Sequence, residues 1–222
     1  MLLLSDDARR WLGLPGIALC ALGIAGCADA RGRFEDFQNR LAGDAGVTGK
    51  ASDDPGPCEP PLPDSVNGPA LLAIDTTLTA GHPILFLGTI DTPALEGTTA
   101  VHFAYRALDS LDRRTPVGDA LEVGPFALND GLLSAPVPES TLDGDANPIS
   151  HGGPITSEMT LTGRVCGVAR FYCGTLTGST SGLLSGSFTG TYGITVLDGD
   201  GPEAIPERPR FGCGADDLGP PL

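Results

Sequence analysis

Past residue 69 the chain alternates. In Thr99–Leu108 the apolar Val101, Phe103, Tyr105 and Ala107 are separated by His102, Ala104 and Arg106. In Ile155–Val168, Ile155, Met159, Leu161 and Val165 oppose Thr156, Glu158, Thr160, Thr162 and Arg164. A period of two belongs to a β-strand with one face buried, and no helical period of any length follows residue 42. A chain patterned this way must build sheet. Ala70–Thr76 and Pro83–Thr92 are apolar runs bounded by Gly and Pro, and read as further strands. Leu121–Leu128 and Leu132–Val137 flank Asn129-Asp130-Gly131, and an Asp-Gly pair tolerates the positive φ of a tight hairpin turn.

Between residues 171 and 197 the glycines Gly174, Gly178, Gly182, Gly186 and Gly190 recur every four positions, on one face of any strand. An uninterrupted strand of that length is improbable, so a hairpin is expected to break it near Ser181-Gly182, leaving small-residue strands with weak packing. A transmembrane G-x-x-x-G helix is excluded, because Ser and Thr fill the gaps and no apolar run reaches the length a bilayer needs. Eight or nine strands with short turns across residues 69–213 predict an all-β domain. The expected form is an antiparallel up-and-down barrel, lipocalin-like, with a β-sandwich as the alternative. One Trp, three Tyr and eight Phe are too few for the aromatic girdles of an outer-membrane barrel.

The amino terminus has a different character. Arg9 and Arg10 precede Trp11–Ala25 (WLGLPGIALCALGIA), an uncharged run too short to span a bilayer but of the length of a secretory h-region. It ends in Ile24-Ala25-Gly26-Cys27. This tetrad resembles a bacterial lipobox, in which the cysteine thiol is diacylglycerated and cleavage leaves that cysteine first. The resemblance covers residues 1–27 and is to a processing signal. It implies a signal peptide over 1–26, lipidation at Cys27 and attachment to membrane lipid through the acyl chains, since two or more chains anchor stably where one does not. Asp6 and Asp7 offset both arginines, so the n-region is less basic than usual. Residues 27–68 then read as an acidic, Pro/Gly-rich tether. Within it Phe34, Phe37 and Leu41 share one face of a short helix over Arg33–Leu41. Residues 214–222 are left as a C-terminal tail.

Four cysteines remain once Cys20 leaves with the signal peptide and Cys27 is lipidated: Cys58, Cys166, Cys173 and Cys213. An even number in an exported chain predicts two disulfides, with three connectivities open. Cys166 and Cys173 bracket a six-residue segment that suits a hairpin bridge, which would leave Cys58 to Cys213. No C-x-x-C spacing supports a zinc site.

Charge narrows the partners. The chain has 28 acidic and 13 basic residues, net −15, with Lys50 its one lysine. That balance excludes nucleic acid, which needs a cationic face, and adhesion to anionic lipid through a basic patch.

Motifs for catalysis are thin. His82, His102 and His151 are isolated, with no H-E-x-x-H spacing. Gly178-Ser179-Thr180-Ser181-Gly182 has Thr where a nucleophile elbow needs Ser. A repeated Leu-Asp-Gly-Asp tetrad offers two candidate cation loops. In the first, Asp143, Asp145 and Asn147 copy the opening spacing of an EF-hand, but Pro148 replaces its glycine and Pro154 its glutamate. In the second, Asp198, Asp200 and Glu203 could converge on calcium. Turn formation by Asp-Gly explains both loops without a metal.

Together these features predict an exported lipoprotein, lipid-anchored in the bacterial envelope, whose disulfide-braced β domain is a binding or structural module rather than an enzyme. Its partner would be an envelope protein, a glycan or a small lipophilic molecule. The interior separates two roles. If Leu72, Ile74, Leu85, Leu87, Phe103, Tyr105, Met159 and Leu161 pack solid, function sits on loops; if they line an apolar void, the domain is a carrier of a lipophilic ligand. An envelope hydrolase is a distant third.

Overall fold

The computed structural model describes residues 59–149, 152–182 and 185–222. The leader, Cys27, the helix expected at Arg33–Leu41, Cys58 and His151 lie outside the described residues. Among the described residues there are nine strands: β1 (Asn67–Thr76), β2 (Ile84–Asp91), β3 (Ala94–Leu95), β4 (Thr98–Leu108), β5 (Pro116–Ala127), β6 (Leu132–Leu142), β7 (Ile155–Arg164), β8 (Phe171–Ser181) and β9 (Gly186–Val196). Two single-turn 3₁₀ helices, Gly144–Ala146 and Pro202–Ala204, complete the regular structure of these residues.

All strands belong to one antiparallel sheet in the order β5-β4-β2-β1-β9-β8-β7-β6, with β3 also on β4. Asp91 faces His102 and Ala94 faces Thr99, so β3 continues β2 in the same register past Thr92-Pro93. The sheet curls strongly into a half-barrel and stays open. This replaces both the closed barrel and the sandwich that the strand pattern suggests.

The opening lies between β5 and β6, which adjoin in sequence. Asn129 and Leu132 exchange both backbone hydrogen bonds, 3.0 and 2.8 Å, around Asp130 (φ 49°) and Gly131 (φ 75°). The tight turn expected there is therefore present, but the strands it joins do not pair as a hairpin: they are the two edges of the sheet. Both edges carry prolines, Pro125 on β5 and Pro136 and Pro138 on β6. Proline has no N–H to give a ladder, which confines it to edges. The β4–β5 register also shifts twice, around Phe103 and again before Ala107. Such bulges bend and twist the strand that carries them.

The concave face holds the main core, including Leu72, Ile74, Ile90, Phe103, Tyr105, Leu161, Leu176, Phe188, Tyr192 and Ile194. The alternation read in β4 and β7 holds, although β7 ends at Arg164 rather than Val168. In β2 the expected face is reversed for two residues. Ile84 and Phe86 point inward, whereas Leu85 and Leu87 join Leu71, Ala73, Leu108, Leu197 and Ile205 in a second cluster on the convex side. The residues after β9 cover that side through Ala204, Phe211 and Leu222. They are held there by Arg113 Nη1 donating to Pro220 O (3.0 Å), Arg114 Nη1 to Pro202 O (2.9 Å) and the Arg210 guanidinium stacked 3.9 Å over Phe171.

The hairpin break near Ser181-Gly182 is where it was expected, but the glycines do not leave the strands loosely packed. Gly174 faces Tyr192 across β8–β9, Gly178 faces Phe188, and Gly88 faces Tyr105 across β2–β4. A Cβ on these glycines would lie 2.8 Å from Tyr192 Cε1, 2.6 Å from Phe188 Cζ and 2.7 Å from Tyr105 Cδ1. Each ring lies over the bare backbone of its cross-strand partner.

The disulfide pairing differs from the expected one. Cys173 is bonded to Cys213, with Cα atoms 5.3 Å apart. The β7–β8 register sets Cys173 opposite Arg164, so Cys166 falls in the connection beyond the ladder and cannot bridge across it. Tyr172 turns into the core and Cys173 outward, toward the C-terminal segment. The expected Cys58–Cys213 link is excluded with it, and Cys166 is itself disulfide-bonded.

Candidate functional site: an apolar cavity in the half-barrel

Only part of the concave face is filled. At one end Val66, Ile90, Val101, Leu128, Leu133, Val165 and Tyr172 pack solid. Residues 59–66 lie against this end: Thr92 Oγ1 accepts from Val66 N (3.1 Å), Thr99 Oγ1 donates to Pro61 O (2.7 Å), and Gly167 N donates to Glu59 O (2.7 Å). Toward the other end the strands enclose a cavity of about 310 Å³. Its wall is Leu72 and Ile74 from β1, Phe86 from β2, Phe103 and Tyr105 from β4, Leu121 and Val123 from β5, Val137 from β6, Met159 and Leu161 from β7, and Phe188 and Ile194 from β9. A curled sheet places every second side chain inside.

The rim is built by strand ends and the loops beside them. Thr76 ends β1 and Leu78 and Thr79 follow it, Gly118 and Asp119 lie near the start of β5, and Ser140 to Leu142 end β6, with Asp143 just beyond. The segment after β6 crosses the open edge here. Ser110 N donates to Asp145 O (2.8 Å), and a Cβ on Gly118 would lie 2.9 Å from Asp143 Cβ. The seam is thus bridged at one end by the Asn129–Leu132 turn and at the other by this loop, and the cavity opens near the second.

Among the described residues the wall and rim contain no Lys, Arg or His, and their charged groups are Asp119 and Asp143. Thr76 and Thr79 hydroxyls bond each other at 3.1 Å, and Thr180 Oγ1 donates to Gly186 O at 3.4 Å. Tyr105 differs. Its hydroxyl is buried and has no hydrogen-bond partner among the described residues, in an interior where an unmet donor costs about 1–3 kcal/mol. Burial pushes the Tyr105 and Tyr192 hydroxyls well above the usual tyrosine range, so both stay protonated donors.

The candidate cation residues serve the loops. Asp143 Oδ1 accepts from Asp145 N (2.9 Å) and caps the 3₁₀ turn; Asn147, fully buried, donates through Nδ2 to Gly153 O (2.6 Å) and accepts from Ile149 N (2.9 Å). In the second loop Asp198 pairs with Arg170, while Asp200 and Glu203 are exposed. No group of three or more His, Cys, Asp or Glu side chains able to hold a metal occurs among the described residues. His82 is exposed, and His102 Nδ1 lies 2.8 Å from Asp91 Oδ1 on the convex face. Thr180, at the centre of the Gly178–Gly182 string, lines the cavity, and the next described element is the strand β9.

The cavity residues Phe86, Leu121, Val123, Val137, Phe188 and Ile194 escaped sequence reasoning as site residues. Their alternation was the available signal, but alternation marks an inward face without saying whether that face closes. No family model matches the chain, and no curated protein or solved structure matches it.

Proposed function

We propose that this chain is a lipid-anchored envelope lipoprotein whose β domain binds a small lipophilic molecule inside a lipocalin-like half-barrel. The observation that carries the reading is the apolar cavity of about 310 Å³, open at one end of the sheet. That volume falls at the lower end of the range of small-molecule sites, which are mostly apolar with a few placed polar groups. The apolar side chains that dominate the described wall support binding of a lipophile as its role. The lipobox-like Ile24-Ala25-Gly26-Cys27 supplies the address: acylation at Cys27 tethers the domain to a membrane. A lipophile with little solubility in water gains from a carrier held next to the bilayer it leaves or enters.

Native mass spectrometry of the acylated protein purified from its own envelope tests this. The reading expects a population heavier than the protein by a single organic ligand, which collisional activation releases. Protein that is uniformly free of ligand, and takes up none from an added lipid extract, overturns it.

A further inference from the structure

The cavity lining is sorted along its length. Thr76 ends β1 and Thr79 follows it, Ser140 and Thr141 lie near the end of β6, Ser157 near the start of β7 and Thr180 near the end of β8. In an antiparallel sheet these positions fall at one end, the end at which the cavity opens. Farther in, Leu72, Phe103, Leu121, Val123, Leu161 and Ile194 present hydrocarbon, and Tyr105 adds a ring whose hydroxyl is itself buried. The polar mouth is rich in acceptors. Thr180 Oγ1 donates to Gly186 O, and the Thr76 and Thr79 hydroxyls bond each other at 3.1 Å; a hydroxyl that has donated still accepts. Asp119 and Asp143 add carboxylates from the two edges of the open seam, on β5 and just past β6. No Lys, Arg or His accompanies them in the described lining.

We infer that the cavity takes a single-chain amphiphile, tail inward, whose head at the mouth donates hydrogen bonds and carries no negative charge: an alcohol or an amine. A volume of about 310 Å³ is small for a binding site and suits one chain rather than the two of a membrane phospholipid. The apolar depth rewards a hydrocarbon tail, whereas a second polar group carried down there would lose its water without gaining a partner. A fatty carboxylate brings acceptors to a mouth already supplied with them, and like charge to Asp119 and Asp143. The inference rests on the cavity being a binding site, and adds the chemistry and orientation of its occupant.

The test displaces N-phenyl-1-naphthylamine, a neutral fluorescent reporter, with 1-dodecanol, dodecylammonium, dodecanoate or 1,12-dodecanediol, each below its aggregation limit. At pH 8 carboxylates and the amine are charged and histidine is not, and low ionic strength leaves exposed charges unscreened. Dodecanol and dodecylammonium should each bind about five- to tenfold more tightly than dodecanoate. The diol, which must carry one hydroxyl inward, should bind about tenfold or more weakly than dodecanol. Asp119→Asn should bring dodecylammonium and dodecanoate about two- to fivefold closer and leave dodecanol within about twofold, a split that a folding defect would not produce. A diol that matches dodecanol overturns the orientation. A dodecanoate that matches or exceeds either other head, or an unchanged gap between dodecylammonium and dodecanoate in Asp119→Asn, overturns the head assignment. In each of these cases the reporter still binds and the binding reading stands. If neither the reporter nor any competitor binds, both fall.

Discussion

Tyr192 lies flat across Gly174, its direct partner on the neighbouring strand, and a Cβ on that glycine would stand 2.8 Å from the ring. The same pairing of an aromatic ring with a bare cross-strand backbone recurs at Phe188 over Gly178 and Tyr105 over Gly88. These glycines are sockets. A Cβ on Gly174 would also press on the backbone of Thr162 and Gly163 in β7, so Gly174→Ala should lower stability by at least about 1–3 kcal/mol, the usual cost of overpacking, or roughly 3–10 °C in Tm for a domain of this size. Gly68→Ala is the control, because a Cβ there meets nothing within 4 Å; it should be neutral or slightly stabilising. Thermal melts of both variants check this. Equal effects would show that the glycines matter only for their flexibility.

The Cys173–Cys213 bond closes a loop of 40 residues between the sheet and the segment that covers its convex face. In the chain-entropy model a loop of that length gains about 4 kcal/mol. Replacing both cysteines by serine should cost a comparable amount and speed amide exchange in residues 197–222 before that in β8. Peptide mapping without reduction should recover a Cys173–Cys213 peptide. With those two paired, Cys58 is the expected partner of Cys166, which is itself disulfide-bonded. A Cys166–Cys173 peptide would contradict both expectations.

Asp75, near the end of β1, is pushed by burial up to about 6 from 3.8, against the pull of the Gly81 N–H and His82, with Asp217 adding to the rise. Its proton is held more tightly in the folded chain than in the unfolded one. The stability this contributes is full below about pH 4 and is lost as pH rises through 6. Full linkage would be about 3 kcal/mol; much of the carboxylate meets solvent, and screening reduces this to on the order of 1 kcal/mol. Asp75→Asn should consequently melt higher than wild type at pH 7 and equal to it near pH 4. Parallel pH profiles for the two would refute the assignment.

Export is tested separately from ligand binding. Radiolabelled palmitate should enter the wild-type protein expressed in a bacterium and be absent from Cys27→Ala, which should then leave the membrane fraction. Label retained by Cys27→Ala removes the anchor from the account.

Much of the sheet was legible in the sequence, and the reasons for the exceptions are physical. β4 and β7 each carry one polar and one apolar face, so their side chains sort themselves. Pro83–Thr92 is apolar on both faces, and nothing local says that Leu85 and Leu87 serve a second cluster made by residues 197–222, whose irregular, proline-rich backbone has no period to read. The turn at Asn129–Leu132 was visible in its residues, but whether its strands pair depends on prolines and bulges acting along two whole edges. The disulfide was misassigned because six intervening residues suit a hairpin, while the actual register puts Arg164 opposite Cys173. The cavity was least accessible, since its volume depends on how far the sheet curls.

The most direct measurement is an equilibrium titration of the purified protein with N-phenyl-1-naphthylamine, alongside Ser157→Trp, which sets an indole into the cavity wall near its opening. A void able to hold a ligand predicts saturable one-site fluorescence enhancement at micromolar concentration in wild type. It also predicts loss of that signal in Ser157→Trp, with Tm within a few degrees. A linear, unsaturated response in wild type, or an identical curve in the variant, would contradict it.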